Sequence, residues 1–369
     1  MTTDAYYPDT FARWERRPAH TWPRRIARRA AIRLGYERLR LSGRLEEGLA
    51  TPRIQFYCLH HLFRDEEAPF RALLTRLSEH FDFVTWSEGV RMVLEGEVPS
   101  RPVACFSSDD GYLSNLRLGR VLADFGASCC FFLNPVSLLP HADAWNTRFC
   151  ATRLQARPTR FLSERDVESL LATGHEVGNH TLTHVVCSET PADQLAAEIG
   201  ESRAWLESRF GPVPHFAWPY GQMHHFSTTA EQLVAETGHV SAAGVVRGAY
   251  RKEDSLPVSG DFRADPPSSL VTFGPGQTDL LILRRDQLWA AAPIEEALYF
   301  TARNGLERSG ALPVLTDPVP PGTNGLAHWD AVAWPQASKA AQYAPSPRTA
   351  ARNVRSSTAR SSQMDQFRT

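Results

Sequence analysis

Two adjacent carboxylates are the first feature of this sequence that could do chemistry. Asp109 and Asp110 lie in the segment SSDDG at 107–111, after an apolar run and before a helical pattern. Neighbouring carboxylates repel one another unless a cation or a proton separates them. A metal ion bound to one would leave the other free to act as a base, and Gly111 would let the backbone turn away. Taken alone, Asp-Asp-Gly is more often a solvated turn.

A histidine pair follows further along the chain. His180 and His184 stand four residues apart in GHEVGNHTLTH at 174–184. On one helical turn, or in a tight loop, this spacing brings both imidazoles to one ion. Neutral imidazole suits zinc and similar divalent metals. The alternative is a pair of surface histidines at a helix N-terminus. The glycines and the strand pattern before the pair make metal binding as well supported as this alternative.

A third candidate is the aromatic segment FAWPYG at 216–221, which also follows a strand pattern. Tyrosine and tryptophan at such a place can form one wall of a sugar-binding groove. The alternative is an aromatic turn that closes the core, and the segment alone favours that alternative.

The elements that must position these residues alternate along the chain. Strand patterns cover 54–59, 83–85, 103–107, 127–133, 175–178, 214–218 and 240–243. Helical patterns cover 66–80, 86–94, 112–125, 163–174, 191–209 and 228–236, and 135–160 is predicted to be a long loop. Ser163 is a predicted N-cap, with Asp166 at the capping-box position. Alternation predicts parallel βαβ units, and their number favours a barrel. All three motifs then fall at the carboxyl ends of strands, where such folds carry their chemistry.

Composition sets the class of protein. A chain of 369 residues allows one large domain with flanks, or two domains. The formal net charge of −1 gives no bias toward nucleic acid. The six cysteines form no C-x-x-C pair, and buried free thiols in a reducing compartment are expected. No run reaches the roughly 18–20 apolar residues that span a bilayer, and no secretory signal is evident. A cytoplasmic location is therefore expected.

Both ends of the chain differ from its middle. Residues 1–50 carry eleven arginines against six acidic residues and are predicted to form a basic arm with one helix. The stretch 24–40 interleaves arginine with apolar residues, so it could lie peripherally on an anionic membrane. The alternative is a helix packed on the main domain with solvated arginines. From 313 to 369 the sequence is rich in Pro, Ser and Arg, and a disordered tail is expected. The catalytic domain is predicted over 51–312.

With these motifs in order, the chain resembles the polysaccharide deacetylase family, also called the NodB-homology domain or carbohydrate esterase family four. The family's signatures look like T-F-D-D-G, H-[ST]-x-[ST]-H and R-x-P-[YF]-G. They appear here as 107–111, 180–184 and 217–221, and the lead-in LLATGHEVG at 170–178 is also similar. The resemblance covers about 52–260.

The resemblance implies an α/β fold, a distorted (β/α) barrel of about seven parallel strands. It implies a divalent metal, zinc or a similar ion, and hydrolysis of an N-acetyl group on an amino-sugar glycan. By position, Asp109 would be the catalytic base. The implied metal ligands are Asp110, His180 and His184. The implied substrate-binding residues are Pro219 and Tyr220, with the Tyr220 amide as an oxyanion donor.

Three departures from the family pattern matter. Ala217 stands where the family has the arginine that positions its base. Asp254 and Asp261 lie in the region of a later Asp motif but lack matching neighbours. The late L-x-x-H motif is absent, which leaves the general acid unassigned. His60 and His61 end the first strand, where they either border the site or belong to a turn.

Three functions are compatible with these residues. The leading one is metal-dependent deacetylation of a glycan. The second is a catalytically weak carbohydrate-binding barrel, which the missing arginine and acid would explain. The third is hydrolysis of a small non-peptide C–N substrate.

Overall fold

A computed structural model describes residues 7–14, 22–141, 143–250 and 279–312. Nine strands lie within these ranges. They are β1 (Ile54–Leu59), β2 (Asp82–Phe83), β3 (Val103–Asp109), β4 (Cys129–Leu133), β5 (Glu176–Asn179), β6 (His215–Ala217), β7 (Ser241–Gly244), β8 (Leu281–Arg284) and β9 (Asp286–Gln287). All the pairings between them are parallel.

The sheet closes on itself through its last two strands. The strand order is β8-β7-β6-β5-β4-β3-β1-β9, and β2 pairs only with β3. Strands β8 and β9 form the two ends of this order, yet Arg285 alone separates them in sequence. One continuous segment therefore joins both edges into a barrel, which confirms the predicted fold class. The strand order contains eight strands, or seven when β8 and β9 are counted as one continuous strand.

Alternation along the strands decides which side chains enter the barrel. Val103, Cys105, Leu281 and Leu283 share one interior cluster of buried side chains. Because successive strand residues face opposite sides, Asp109 at the end of β3 points inward like Val103 and Cys105. By the same rule Arg285, two positions after Leu283, also points inward.

Helices cover the outside of the barrel. They are α1 (Phe11–Trp14), α2 (Trp22–Leu41), α3 (Arg44–Ala50), α4 (Glu67–Ser78), α5 (Trp86–Leu94), α6 (Asn115–Ala123), α7 (Asp143–Thr152), α8 (Glu164–Leu171), α9 (Ala192–Phe210), α10 (Thr228–Glu236) and α11 (Ile294–Arg308). Short 3₁₀ turns lie at Arg64–Glu66, Pro135–Leu138 and Met223–His225.

Helix α5 closes the amino end of the barrel. Its first residue, Trp86, packs edge-on against Phe56 and Phe132 with ring centroids 4.8 and 5.3 Å apart. The Glu176 carboxylate accepts a hydrogen bond from the Trp86 amide at 2.7 Å, at the helix N-terminus where a negative charge is favourable. With this end filled, the opposite, carboxyl end is left for chemistry.

Most predicted elements agree with the structure to within a few residues. The predicted strand 54–59 and the predicted helices 86–94 and 228–236 coincide with β1, α5 and α10. The Ser163 hydroxyl caps α8 and forms the predicted capping box with Asp166. All six cysteines are free and buried, as expected. Cys129 and Cys130 lie in different core clusters, on opposite faces of β4.

Three regions differ from the prediction. The described parts of residues 1–50 contain the three helices α1, α2 and α3, where one helix was expected. The loop expected over 135–160 contains a 3₁₀ turn and the helix α7, whose buried side chains are only Phe149 and Cys150. So few buried positions produce no clear helical period in the sequence. Strands β8 and β9 and helix α11 were not predicted at all, although they complete the barrel and its outer layer.

The N-terminal segment packs into the domain core. Leu45 and Leu49 of α3 share a cluster with Leu298 and Leu306 of α11. The division into an arm over 1–50, a catalytic domain over 51–312 and a tail over 313–369 stays a prediction. Residues 313–369, like Asp254 and Asp261, lie outside the described residues. Within the described ranges, no helix combines the length and apolar character that crossing a membrane requires.

Candidate metal centre and its base

The candidate metal ligands converge at the carboxyl end of the barrel. Ligand atoms of Asp110, His180 and His184 lie within 4.8 Å of one another, and all three residues are buried. The Asp110 Oδ1 atom is 3.5 Å from His180 Nε2 and 3.2 Å from His184 Nε2. The histidines stand in a loop after β5, so the tight-loop alternative for their spacing applies.

The surroundings of these atoms suit a cation. Asp110 Oδ1 and His184 Nδ1 are buried without a hydrogen-bond partner among the described residues. His180 Nδ1 donates to the Ala217 carbonyl at 2.7 Å, which directs the lone pair of Nε2 toward Asp110. Such a hydrogen bond is what fixes the tautomer of a metal-binding histidine. The donor set of two imidazoles and one carboxylate therefore fits zinc or a similar divalent ion.

Charges at this centre favour an ionised carboxylate. Burial by itself would raise the pKa of Asp110, but His180 and His184 hold that pKa well below its ordinary value. Burial opposes protonation of His180, yet the two neighbouring carboxylates raise its pKa. Burial prevails at His184 and lowers its pKa. The lowered pKa values of Asp110 and His184 thus favour the deprotonated forms that bind metals.

Backbone strain is concentrated at the same place. Asp110, Thr181, His184 and Tyr220 have φ values of 73°, 64°, 58° and 64°. Only one other non-glycine residue in the described ranges, Gln155, has a positive φ. Each such conformation costs on the order of 1–3 kcal/mol and is typical of functional sites. At Asp110 it turns the side chain to the barrel mouth, although strand alternation would direct it outward.

The loop that carries the histidines is held by buried amide side chains. Asn134 donates to the carbonyls of His180 and Thr181. The Asn179 carboxamide accepts from the Thr181 amide at 3.0 Å and from the Ser202 hydroxyl at 2.6 Å. These bonds tie the loop to the segment after β4 and to helix α9, so the imidazoles are positioned before any ion binds.

Asp109 is held by an arginine that the sequence analysis missed. Arg285 Nη1 donates to Asp109 Oδ1 at 2.7 Å and Nη2 donates to Oδ2 at 2.8 Å. Both side chains are buried. Burial alone would raise the pKa of Asp109, but Arg285, with smaller contributions from His180 and His60, lowers that pKa below its ordinary value. Asp109 is thus ionised at neutral pH, as a base must be.

Arg285 reaches Asp109 across the barrel interior. Its Nε atom donates to the Gly244 carbonyl of β7 at 3.3 Å, and its guanidinium carbon lies 5.2 Å from the centroid of the Phe132 ring. Asp109 is therefore paired with an arginine from the β8–β9 junction, although Ala217 replaces the motif arginine on β6. The apolar run Leu280–Leu283 followed by charged residues is a strand-end signal that could have drawn attention to Arg285.

The two histidines after β1 differ in surroundings. His61 is stacked on Tyr112 with centroids 3.9 Å apart, and burial lowers its pKa to about 3. It is therefore a neutral packing residue. His60 is half-buried, and its imidazole lies within 4.8 Å of an Asp109 oxygen and of Cys58 Sγ. His60 thus borders the site.

Two further histidines, His215 and His239, are held by structural hydrogen bonds. His215 bonds to Ser87 and Ser241, and His239 bonds to Asn179 and Thr237. Both are buried structural residues.

Pro219 and Tyr220 follow β6 directly. Pro219 is buried, and the Tyr220 ring lies 4.8 Å from the His184 ring. The Tyr220 hydroxyl donates to the Arg153 carbonyl at 2.7 Å, and burial raises its pKa to about 12. No acceptor within the described residues pairs with the Tyr220 backbone amide. Tyr220 thus lies beside the centre, and a substrate-binding role for both residues remains a proposal.

Comparison with known proteins now adds to this geometry. The sequence profile of the polysaccharide deacetylase family matches residues 97–242, which include the carboxylate pair, both histidines of the candidate metal centre and the aromatic turn. The chain carries a polysaccharide deacetylase domain. This domain, of the NodB-homology or CE4 type, is that of a hydrolase acting on carbon–nitrogen bonds other than peptide bonds. No curated protein sequence matches the chain significantly.

Solved structures similar to the deacetylase domain are distant in sequence. A Streptococcus pyogenes deacetylase, PplD in complex with acetate, is 15% identical, with 68% of this chain and 99% of that chain covered and a TM-score of 0.47. IcaB from Ammonifex degensii is 15% identical, with coverages of 68% and 97% and a TM-score of 0.48. A de-N-acetylase from Aggregatibacter actinomycetemcomitans is 13% identical, with coverages of 67% and 99% and a TM-score of 0.47. At these TM-scores the likenesses add no weight to the family match.

Proposed function

We propose that the chain is a metal-dependent deacetylase that hydrolyses an N-acetyl group on an amino-sugar glycan. This proposal rests on one observation: the three candidate metal ligands and Asp109 lie together at the carboxyl end of the barrel. Asp110, His180 and His184 would hold the ion. Asp109 stays beside them, paired with Arg285 instead of with the ligand atoms. This arrangement separates the two adjacent carboxylates into a ligand and a base.

The metal, when bound, would polarise the acetyl carbonyl and acidify a water molecule. Asp109 would take the proton from that water, because its carboxylate is ionised and fixed in orientation by two hydrogen bonds. The Tyr220 amide, which has no acceptor within the described residues, would donate to the carbonyl oxygen as negative charge develops on it. Three protein ligands leave coordination positions open, as hydrolytic sites require.

We propose His60 as the proton donor to the leaving amine. Its imidazole lies within 4.8 Å of Asp109, on the mouth side of β1. Its Nδ1 atom is buried without a partner in the described part of the chain. Asn115 donates to the His60 carbonyl at 3.0 Å and to Ser108 Oγ at 2.8 Å, which ties the backbone of His60 to the strand that carries Asp109.

The decisive experiment measures acetate release from N-acetylated amino-sugar oligomers by the full chain supplied with zinc. We expect release by the unmodified protein and a loss of about 10²–10⁴-fold in Asp109→Asn, the usual contribution of a general base. Asp124→Asn, at an exposed carboxylate that pairs with Arg71, is the matched control and should keep full activity.

Two other outcomes would redirect the assignment. Binding of the oligomers without acetate release would favour a carbohydrate-binding barrel. Faster turnover of a small cyclic amide than of the oligomers would favour a small-molecule hydrolase. The glycan substrate, the zinc preference, the cytoplasmic location and the absence of a nucleic-acid partner are predictions.

A further inference from the structure

Helix α2 contacts the domain through one face only. Ile32 and Leu39 are buried, and Gly35 lies so close to Tyr299 of α11 that an added Cβ would come within 2.7 Å of its ring. Arg28 forms an ion pair with Glu296 of α11 at 2.6 Å. These contacts fix the rotation of α2 about its axis, and thereby determine which residues face away from the domain.

The opposite face carries an exposed apolar stripe. Ile26, Leu34 and Leu41 are 55%, 61% and 77% exposed. Ile26, Ala30 and Leu34 follow one another at intervals of four residues, and Leu41 lies seven residues after Leu34. Side chains at these spacings lie on one side of a helix. Only seven large apolar side chains are exposed in the described residues, and three of them form this stripe.

Arginines flank the stripe on both sides. Arg29, Arg33 and Arg38 are exposed, and Glu37 is the single acid of the helix. Glu37 is paired with Arg40 at 2.8 Å, so its charge is compensated. The chain as a whole has a formal net charge of −1. The positive charge of α2 is therefore a local feature, and it coincides with the exposed apolar side chains.

We propose that the exposed face of α2 docks on an anionic lipid surface. Arginines would contact lipid headgroups while Ile26, Leu34 and Leu41 enter the boundary between headgroups and acyl chains. This inference goes beyond the deacetylase function and does not depend on it. A duplex nucleic acid fits less well, because phosphate contacts would place apolar side chains against a charged backbone.

The test is co-sedimentation of the full chain with lipid vesicles. We expect binding to vesicles of equimolar phosphatidylcholine and phosphatidylserine, and none to phosphatidylcholine alone. Added salt should weaken the binding because it screens the arginines. Leu34→Gln should weaken it roughly tenfold or more, since it removes one buried leucine from the interface. Arg33→Gln should weaken it several-fold.

Leu94→Gln is the matched control, because Leu94 is 53% exposed on α5, a different helix. It should leave vesicle binding unchanged. Failure of the full chain to bind anionic vesicles would overturn the proposal. So would binding that neither the Leu34 nor the Arg33 substitution weakens, or equal binding to a DNA duplex that depends on Arg33 and not on Leu34. Acetate release from soluble oligomers is measured in parallel, so loss of the catalytic site would be recognised separately.

Discussion

The pairing of Arg285 with Asp109 permits the sharpest prediction. In Arg285→Gln the two hydrogen bonds at 2.7 and 2.8 Å lose their charge, while Asp109 stays buried. Burial then acts unopposed by that guanidinium and raises the pKa of Asp109. Asp109 would then be protonated, and unable to act as a base, at pH values where the unmodified protein is still active.

Removal of one partner from a buried ion pair costs about 3–5 kcal/mol when the other charge remains. Asp109 can avoid part of this cost by taking up a proton. The pH dependence of this stabilisation follows from the lowered pKa of Asp109 in the folded state. Its pairing contributes stability above the ordinary value of 3.8, and that stability is lost as pH falls through the lower folded value. The difference in free energy of unfolding between the two proteins should be largest near neutral pH and shrink in acid.

The assay is the pH profile of kcat/KM for acetate release, with denaturant unfolding measured in the same buffers. We expect the acid limb of the Arg285→Gln profile to move to higher pH, and activity at neutral pH to fall by about 10²-fold or more. Arg53→Gln is the matched control. Arg53, just before β1, is an equally buried arginine, and it donates to the backbone carbonyls of Gly48 and Thr301. This substitution should lower stability without moving the acid limb. An acid limb that stays in place in Arg285→Gln would refute this account of Asp109.

Three further predictions concern the ions, the proton donor and the barrel interior. Asp110→Asn should lower zinc affinity at least tenfold in a chelator competition, because it removes the anionic ligand, whereas Asp124→Asn should not change that affinity. His60→Gln should reduce turnover of an N-acetyl substrate far more than that of an activated acetate ester, whose leaving group needs no proton; equal losses would exclude His60 as the donor. Gly178→Ala should lower the free energy of unfolding by about 1–3 kcal/mol, measured with denaturant, because the new Cβ would come within 2.3 Å of the Phe132 ring. In the control Gly200→Ala the new Cβ meets nothing nearer than 3.8 Å, so the protein should not be destabilised.

Local sequence patterns, together with the family resemblance, predicted much of the candidate site. The carboxylate pair and the two histidines could be expected to meet, because each motif follows an apolar strand and the carboxyl ends of parallel strands lie together. The resemblance to the deacetylase family then implied that Asp110, His180 and His184 are the metal ligands. Elements with strong local signals were also predictable. Ser163 with Asp166 marks a helix start through hydrogen bonds that span three residues.

Tertiary structure decided how the barrel closes and which residue pairs with Asp109. Arg285 and Asp109 are 176 positions apart. Neither the spacing nor the periodicity around Arg285 distinguishes it from a solvated arginine at the end of a strand. Its role follows from closure of the sheet, because β8 and β9 must pair with opposite edges and the residue between them then points into the barrel. Local patterns specify elements and their ends, whereas only the packed barrel specifies which distant charge reaches Asp109.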